Sequence, residues 1–209
     1  MVDLFEEVEE QLRSDRYVAL ARRAAPWITA IFALVLVGYF GFWGYKLFQD
    51  RNQATATMEY QRGVDALSQN DQAGALGHFQ SVAKSGPPAY RALALMQEGG
   101  LRQVAGKDDE AARDFDAAAR LAPQPILGDL AQLRAALAVL DEAPYSQLER
   151  RLKPLTDSKR PYAFQAREAL AMAKLMAGKT ADAKSDFAGL QAALDAPEDM
   201  RQRAAYARP

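Results

Sequence analysis

The segment Gly106–Pro123, GKDDEAARDFDAAARLAP, carries the pattern that decides the fold of this chain. It begins with a glycine suited to a turn, continues as an Ala-rich stretch with Phe115 four residues after Ala111, and ends at a proline. A similar segment, GKTADAKSDFAGLQAALDAP, follows 72 residues later, from Gly178 to Pro197. Two such segments indicate an internal repeat of helical hairpins.

The repeat has a period of 36 residues and is defined by four recurring positions. These are a small residue in the first helix (helix A), a turn residue, and an Ala-x-x-x-Phe pair in the second helix (helix B). The small residues are Gly63, Gly99, Ala135 and Ala171; the turn residues are Asn70, Gly106, Glu142 and Gly178; the pairs are Ala75 and Phe79, Ala111 and Phe115, Gln147 and Arg151, Ala183 and Phe187. The third unit diverges, although Leu148, Leu152 and Leu155 still offer an apolar face there.

A single hairpin cannot bury its apolar face, so such units stack into a solenoid. The pattern resembles the tetratricopeptide repeat, with two residues more per unit than the usual 34. We therefore predict an all-α protein whose residues 57–209 form about four tetratricopeptide-like units. The tail EDMRQRAAYARP after Pro197 is predicted to be a capping helix.

An uncharged apolar stretch of 19 residues, WITAIFALVLVGYFGFWGY, lies before the repeats at Trp27–Tyr45. At about 1.5 Å per residue it spans a hydrocarbon core of about 30 Å, and aromatic residues stand at both ends. We predict a transmembrane helix at 27–45, a cytoplasmic amphipathic head at 1–26 and a juxtamembrane linker at 46–56. A cleaved signal peptide with its site near Ala56 is the alternative, but the stretch exceeds the usual signal core and the preceding head is long and acidic.

Flanking charges predict the orientation of this helix. Four arginines (Arg13, Arg16, Arg22 and Arg23) precede it closely, whereas only Lys46 and Arg51 follow it within a similar distance. Because Lys and Arg are retained in the cytoplasm, the head is predicted to be cytoplasmic and the body translocated.

Composition and motifs argue against catalysis and against nucleic-acid binding. The chain has a net charge of −1, no cysteine and a single histidine, His78. A near-neutral body lacks the basic patch that nucleic acid requires, and a lone histidine cannot form a triad or a metal site. Gly178-Lys179-Thr180 lacks the preceding glycine and strand of a phosphate-binding loop, so we interpret it as a turn. The acidic run Glu6–Glu10 is interpreted as a solvated helix face, and no cofactor is predicted.

Two surfaces are predicted to bind partners. In a tetratricopeptide solenoid the A helices line a groove, and register places in it Tyr60, Val64, Leu67, Met96, Gln97, Gln103, Gln132, Leu133, Ala136, Met172 and Leu175. This set is mostly apolar, with flexible methionines that suit loose contact with varied partners, although each residue could instead fill the core between helices. In the membrane helix, Gly38, Gly41 and Gly44 form a smooth stripe against which another helix could pack.

The head sequence FEEVEEQLRSDR, at residues 5–16, places Leu4, Phe5, Val8 and Leu12 near one helical face. Together with one span, an Ala-rich repeat body and a short cap, it resembles alphaproteobacterial members of the ancillary SecYEG translocon subunit family. The resemblance implies a bitopic inner-membrane protein with its repeats in the periplasm, associated with the Sec translocon and with periplasmic chaperones. It implies a non-enzymatic scaffold that helps hand exported proteins to those chaperones. The alternative is an assembly scaffold for another envelope complex, in division or outer-membrane biogenesis.

Overall fold

The computed structural model of the protein describes the backbone of residues 3–207 and the side chains of residues 26, 27, 29 and 31–207. Within these residues the chain is predominantly helical and has no strand, which confirms the all-α prediction. It divides into two compact units, Met1–Arg51 and Asn52–Pro209. The helices of the described chain are α1 (Asp3–Ser68), α2 (Gln72–Ser85), α3 (Pro88–Val104), α4 (Asp108–Leu121), α5 (Pro125–Ala138), α6 (Tyr145–Leu152), a 3-10 helix (Lys153–Thr156), α7 (Ala163–Met176), α8 (Thr180–Ala192) and α9 (Glu198–Tyr206).

The first unit contains the apolar stretch of α1 with its described side chains exposed. Leu34 is 75% exposed and Val37 is 74% exposed, and every residue from 31 to 50 falls in the exposed class. Large apolar surface of this kind is unfavourable in water. Because the helix is also long and apolar enough to cross a bilayer, the unit is consistent with a single-pass membrane anchor. Its orientation stays a prediction.

Residues 46–56, predicted as a linker, are helical and belong to α1. Ala56 is 5% exposed and lies in one core cluster with Phe79 and Val82 of α2. Helix A of the first repeat is therefore the C-terminal part of α1. The head is helical from Asp3, while its predicted apolar face (Leu4, Phe5, Val8 and Leu12) lies outside the described side chains.

Small residues let helices A and B approach closely in the first two hairpins, as the repeat predicts. A Cβ atom added to Gly63 would lie 2.7 Å from Cε1 of Phe79, and one added to Gly99 would lie 2.7 Å from Cε1 of Phe115. Both phenylalanine side chains are fully buried. The ring thus occupies the space that a side chain on helix A would need. In the fourth hairpin Phe187 is equally buried, beside Ala171.

Three of the four hairpins turn through a residue with left-handed backbone. Asn70, Gly106 and Gly178 have φ of 61°, 70° and 73°, the conformation that ends a helix most easily with Gly or Asn. The third hairpin differs, because Glu142 has no positive φ. Its α5–α6 connection spans residues 139–144, whereas the other three connections span three residues each.

The longer connection shifts the register of α6 by one residue. Leu148 and Leu152, 2% and 0% exposed, take the core places that Ala111 and Phe115 take in α4. From Phe115 to Leu152 is 37 residues rather than 36. Arg151 therefore turns away from the core, which explains why the third unit can do without its phenylalanine. The apolar face predicted there is confirmed.

The helix α9 caps the stack, as predicted for the tail. Met200 is 2% exposed and Ala204 is fully buried, and both pack in the same cluster as Phe187. The Arg203 guanidinium donates to both carboxylate oxygens of Glu168 on α7, at 2.9 and 3.0 Å. One face of α9 is thus apolar and the other polar, as the end of a solenoid requires.

Candidate functional site

The structure divides the predicted groove residues by exposure. Met96 and Leu133 are 7% and 4% exposed and belong to the largest core cluster, as does the fully buried Ala136. Tyr60, Val64, Leu67, Gln97 and Leu175 are half-buried, and Gln103, Gln132 and Met172 are exposed. A side chain that is almost completely covered offers little surface to a partner. The binding role of the set stays a prediction, and its exposed members are the ones that can carry it.

Tyr60 and Gln97 join α1 to α3. The Gln97 side-chain amide donates to the Tyr60 hydroxyl at 3.0 Å, and the Tyr60 ring lies 5.4 Å from that of Phe79 and 6.3 Å from that of Tyr90. The Tyr90 hydroxyl lies 2.7 Å from the hydroxyl of Thr57, which completes the network. These residues hold the first two hairpins together, a structural role that the sequence pattern alone left open.

Several exposed apolar residues on the A helices were missed by the sequence reasoning, and two of them share one position of the repeat. Val104 is 74% exposed at the end of α3, and Met176 is 53% exposed at the end of α7. Met172, one turn before Met176, is 37% exposed. Val104 and Met176 both stand five residues after the small residue of helix A, two periods apart. That shared position was the available signal, and we refer to the exposed side chains Val104, Met172 and Met176 together as the methionine face.

Ion pairs recur at equivalent positions of the repeats, on the side of helix A opposite the methionine face. In the second repeat the Arg102 guanidinium binds the Asp114 carboxylate, and in the fourth repeat Lys174 donates to Asp186 at 2.5 Å. The two pairs are again 72 residues apart. The Asp186 carboxylate raises the pKa of Lys174 above its usual range. Each pair ties helix A to helix B within one hairpin.

The second repeat also buries the carboxylate of Glu98, one oxygen of which has no hydrogen-bond partner. Glu98 is 4% exposed, its Oε2 lies 3.7 Å from the Arg102 guanidinium, and its Oε1 has no hydrogen-bond partner. Burial, with the nearby Asp114 carboxylate, raises the pKa of Glu98 to about 7. Burial likewise raises the pKa of Asp114, although Arg102 opposes the shift. Arg102 thus serves three acidic groups at once, because an oxygen of the Glu110 carboxylate also lies 3.6 Å from its Nε.

The remaining sequence candidates have structural roles. Gly178 and Lys179 form the turn before α8, where the Lys179 backbone N–H donates to the Lys174 carbonyl at 2.9 Å. The His78 Nδ1 lies 2.8 Å from a carboxylate oxygen of Glu59, and this contact lowers the pKa of Glu59. Among the described side chains, no group of three or more His, Asp and Glu residues has metal-binding geometry. The head carboxylates Glu6–Glu10 lie outside those side chains.

The glycine stripe in the first unit is open. A Cβ atom added to Gly38, Gly41 or Gly44 would meet nothing within 4 Å among the described atoms. The stripe therefore has the room that close helix packing needs. Its use as an interface stays a prediction.

Comparison with known proteins agrees with this architecture. The family described as the tetratricopeptide repeat-like domain matches residues 22–207. No curated protein and no solved structure matches the sequence significantly. The match covers α2–α9 and all of α1 from residue 22, so the chain belongs to the tetratricopeptide repeat-like domain family.

Proposed function

We propose that this protein is a non-enzymatic, membrane-anchored scaffold that associates with the Sec translocon and helps hand exported proteins to periplasmic chaperones. The observation that carries the proposal is the union, in one chain, of an exposed apolar helix and a tetratricopeptide-like body. Tetratricopeptide solenoids present extended surfaces to protein partners. The link to the translocon is supported by the resemblance of the head sequence at residues 5–16.

The proposed mechanism is a high effective concentration. An anchor that keeps the body beside a translocation pore lets weak contacts capture an emerging chain. The methionine face (Val104, Met172 and Met176) suits this task, because methionine side chains adapt to varied apolar sequences. Weak binding also permits release to the next chaperone.

Site-specific photocrosslinking in cells tests the partners. A photoreactive residue at Gly41 reports on neighbours of the anchor, and one at Met172 or Met176 reports on partners of the methionine face. Gln191, exposed on α8, is the control position. We expect translocon subunits at Gly41, and chaperones or varied exported chains at the methionine positions but not at Gln191. The same adducts at Gln191 would contradict a role for the methionine face.

A scaffold for another envelope complex is the second candidate function. It would use the same anchor and solenoid but hold one constant partner, so the crosslinks at Gly41 and Met172 would yield a single envelope protein. Because Met96 is buried, its substitution would damage the fold. Met172→Glu with Met176→Glu is the informative variant for both candidates, since these side chains are exposed.

The predicted orientation has a direct test because the natural chain contains no cysteine. A single cysteine placed at Ser14 or at Gln191 would be the only reactive thiol. A membrane-impermeant maleimide added outside the inner membrane should label the Gln191→Cys chain and spare the Ser14→Cys chain. The reverse pattern would place the repeats in the cytoplasm and end the export proposal.

A further inference from the structure

Three clefts of about 340 to 400 Å³ lie between helix B elements and neighbouring helices of residues 52–209. One of about 360 Å³ is formed by α2, α3 and α4, one of about 340 Å³ by α4, α5, α6 and the start of the 3-10 helix, and one of about 400 Å³ by the 3-10 helix, α7 and α8. The middle cleft, which we call the arginine cleft, is lined by Asp116, Ala119, Arg120, Gln132, Arg150, Arg151 and Pro154. It lies between the second repeat and the divergent third repeat, and residues of both repeats line it.

The three clefts differ in how their cations are engaged. In the α7–α8 cleft, Lys174 is paired with Asp186, and Arg167 donates to the Thr156 carbonyl at 3.1 Å. In the α2–α4 cleft, Arg102 is held by its acidic neighbours, and Lys107 is the one lining cation that has no hydrogen bond or ion pair with a described side chain. In the arginine cleft, Arg120 and Arg150 have no hydrogen bond or ion pair with any described side chain. Two guanidinium groups are therefore available to a ligand.

Arg151 is the third guanidinium of the arginine cleft, and it is held in place. Its Nη1 donates to both oxygens of Asp116 on α4, at 2.7 and 2.9 Å. The register shift in α6 is what directs Arg151 there, since Leu152 takes the core place instead. The divergence of the third repeat thus converts a buried aromatic position into part of a charged surface.

We infer that the arginine cleft binds a carboxylate-bearing segment of a partner protein, with Arg120 and Arg150 as its anion contacts. A guanidinium group offers two parallel donors that match the two oxygens of a carboxylate. The exposed Gln132 amide adds a further donor, and Ala119 and Pro154 supply apolar walls for the stem of an acidic side chain. A cleft of this size admits one or two side chains. This site is separate from the methionine face and does not depend on the proposed translocon association.

The charge and the shape of the cleft fit an acidic segment of a protein. The lining carries three arginines and one aspartate, and this net positive charge attracts anionic side chains. The cleft is also concave, whereas a bilayer surface presents its headgroups on a flat front. An acidic peptide is therefore the occupant that the chemistry fits best.

Binding of a defined peptide to the full chain in neutral detergent tests the site. The probe is a fluorescein-labelled peptide of alternating Glu and Ala with both termini blocked, and its Gln-for-Glu analogue is the neutral control. We expect fluorescence anisotropy to show binding of the Glu peptide, weakened about tenfold or more by Arg120→Ala with Arg150→Ala. Arg120→Lys with Arg150→Lys should lose several-fold, because lysine keeps the charge and loses the paired donors.

A matched control removes the same charge elsewhere. Lys84 stands one period before Arg120, on α2, and Arg113 is exposed on α4 outside the cleft. Lys84→Ala with Arg113→Ala should leave peptide affinity unchanged. All four positions are exposed, so the variants should fold as the natural chain does, which circular dichroism would check.

Three outcomes would overturn the inference. One is equal loss of affinity in the control pair, which would mean that net charge alone attracts the peptide. Another is unchanged affinity in the arginine pair, or in the lysine replacements. The third is arginine-dependent binding of soluble dihexanoyl phosphatidylglycerol without binding of the Glu peptide, which would make the cleft a lipid-headgroup site.

Discussion

The α3–α4 and α5–α6 hairpins occupy successive places in one stack, yet they pack their second helices differently. In α3–α4, Phe115 lies fully buried against Gly99, and Gly106 makes a three-residue turn. In α5–α6, the connection is longer, the second helix has only 8 residues, and Leu152 is the buried residue. The same architecture is thus reached with two registers. What the stack requires is an apolar face of the right size, whichever residue supplies it.

The largest expected effect is a difference in stability between variants of Phe115 and Arg151, which the 36-residue period places at equivalent positions. Phe115→Ala should lower the free energy of unfolding by about 3–5 kcal/mol, because it leaves a cavity at a fully buried site. Arg151→Ala should cost less than about 1 kcal/mol, since Arg151 and its partner Asp116 are partly exposed. Chemical denaturation followed by circular dichroism measures both. Equal losses would show that Arg151 belongs to the core after all.

The buried Glu98 of α3 should make the stability of the second repeat depend on pH. The equivalent positions of the other repeats carry no acidic residue. Its folded-state pKa of about 7 lies above its ordinary value of 4.5. The folded state therefore holds the proton more tightly, and stability should fall as pH rises from about 4.5 through 7. The loss from this group is as much as about 3 kcal/mol.

Glu98→Gln tests this pH dependence. Since the variant has no charge to bury, it should be more stable than the natural chain at pH 8, and the difference should disappear below about pH 4.5. The raised pKa of Asp114 acts in the same direction, so some dependence on pH should remain in the variant. Thermal unfolding across this range would measure it. A constant difference at all pH values would contradict the shift.

Two adjacent glycines in α3 test how closely α3 and α4 must approach, because each substitution to alanine adds a single methyl group. At Gly99 a new Cβ would lie 2.7 Å from the Phe115 ring, whereas at Gly100 it would meet nothing within 4 Å. Gly99→Ala should therefore destabilise by about 1–2 kcal/mol, because crowding exceeds the gain in helix propensity. Gly100→Ala should stabilise by roughly 0.5–1 kcal/mol. If both substitutions stabilised, the close approach of α3 and α4 would not be required.

The smallest expected effect concerns the turns. Gly106→Ala should cost about 1 kcal/mol, because φ of 70° is unfavourable for alanine. Glu142→Ala, at the equivalent position in the third hairpin, should have no measurable effect, since the longer connection uses no positive φ there. Urea denaturation would compare the two variants. A similar cost at Glu142 would mean that the third turn is as constrained as the second.

The period of 36 residues was enough to predict the helical hairpins, their small-residue contacts, three of the four turns and the cap. It did not predict the register of α6, because a one-residue shift depends on how a longer connection closes. The candidate groove was predicted only in part, since helical register tells which side of a helix a residue faces but not how far the next unit covers it. Met96 and Met172 illustrate this, because one is 7% and the other 37% exposed.

The sequence by itself determined an all-helical fold with four repeats, a capping helix after the fourth repeat and an apolar helix long enough for a membrane. Those properties follow from local periodicity, turn residues and hydropathy, which depend only on residues close together in sequence. Only the tertiary structure decided that Glu98 is buried without a full set of partners, that Arg151 pairs with Asp116, and that Arg120 and Arg150 face an open cleft. Those features depend on which residues of different helices meet, and contacts between helices are set by packing rather than by spacing in sequence.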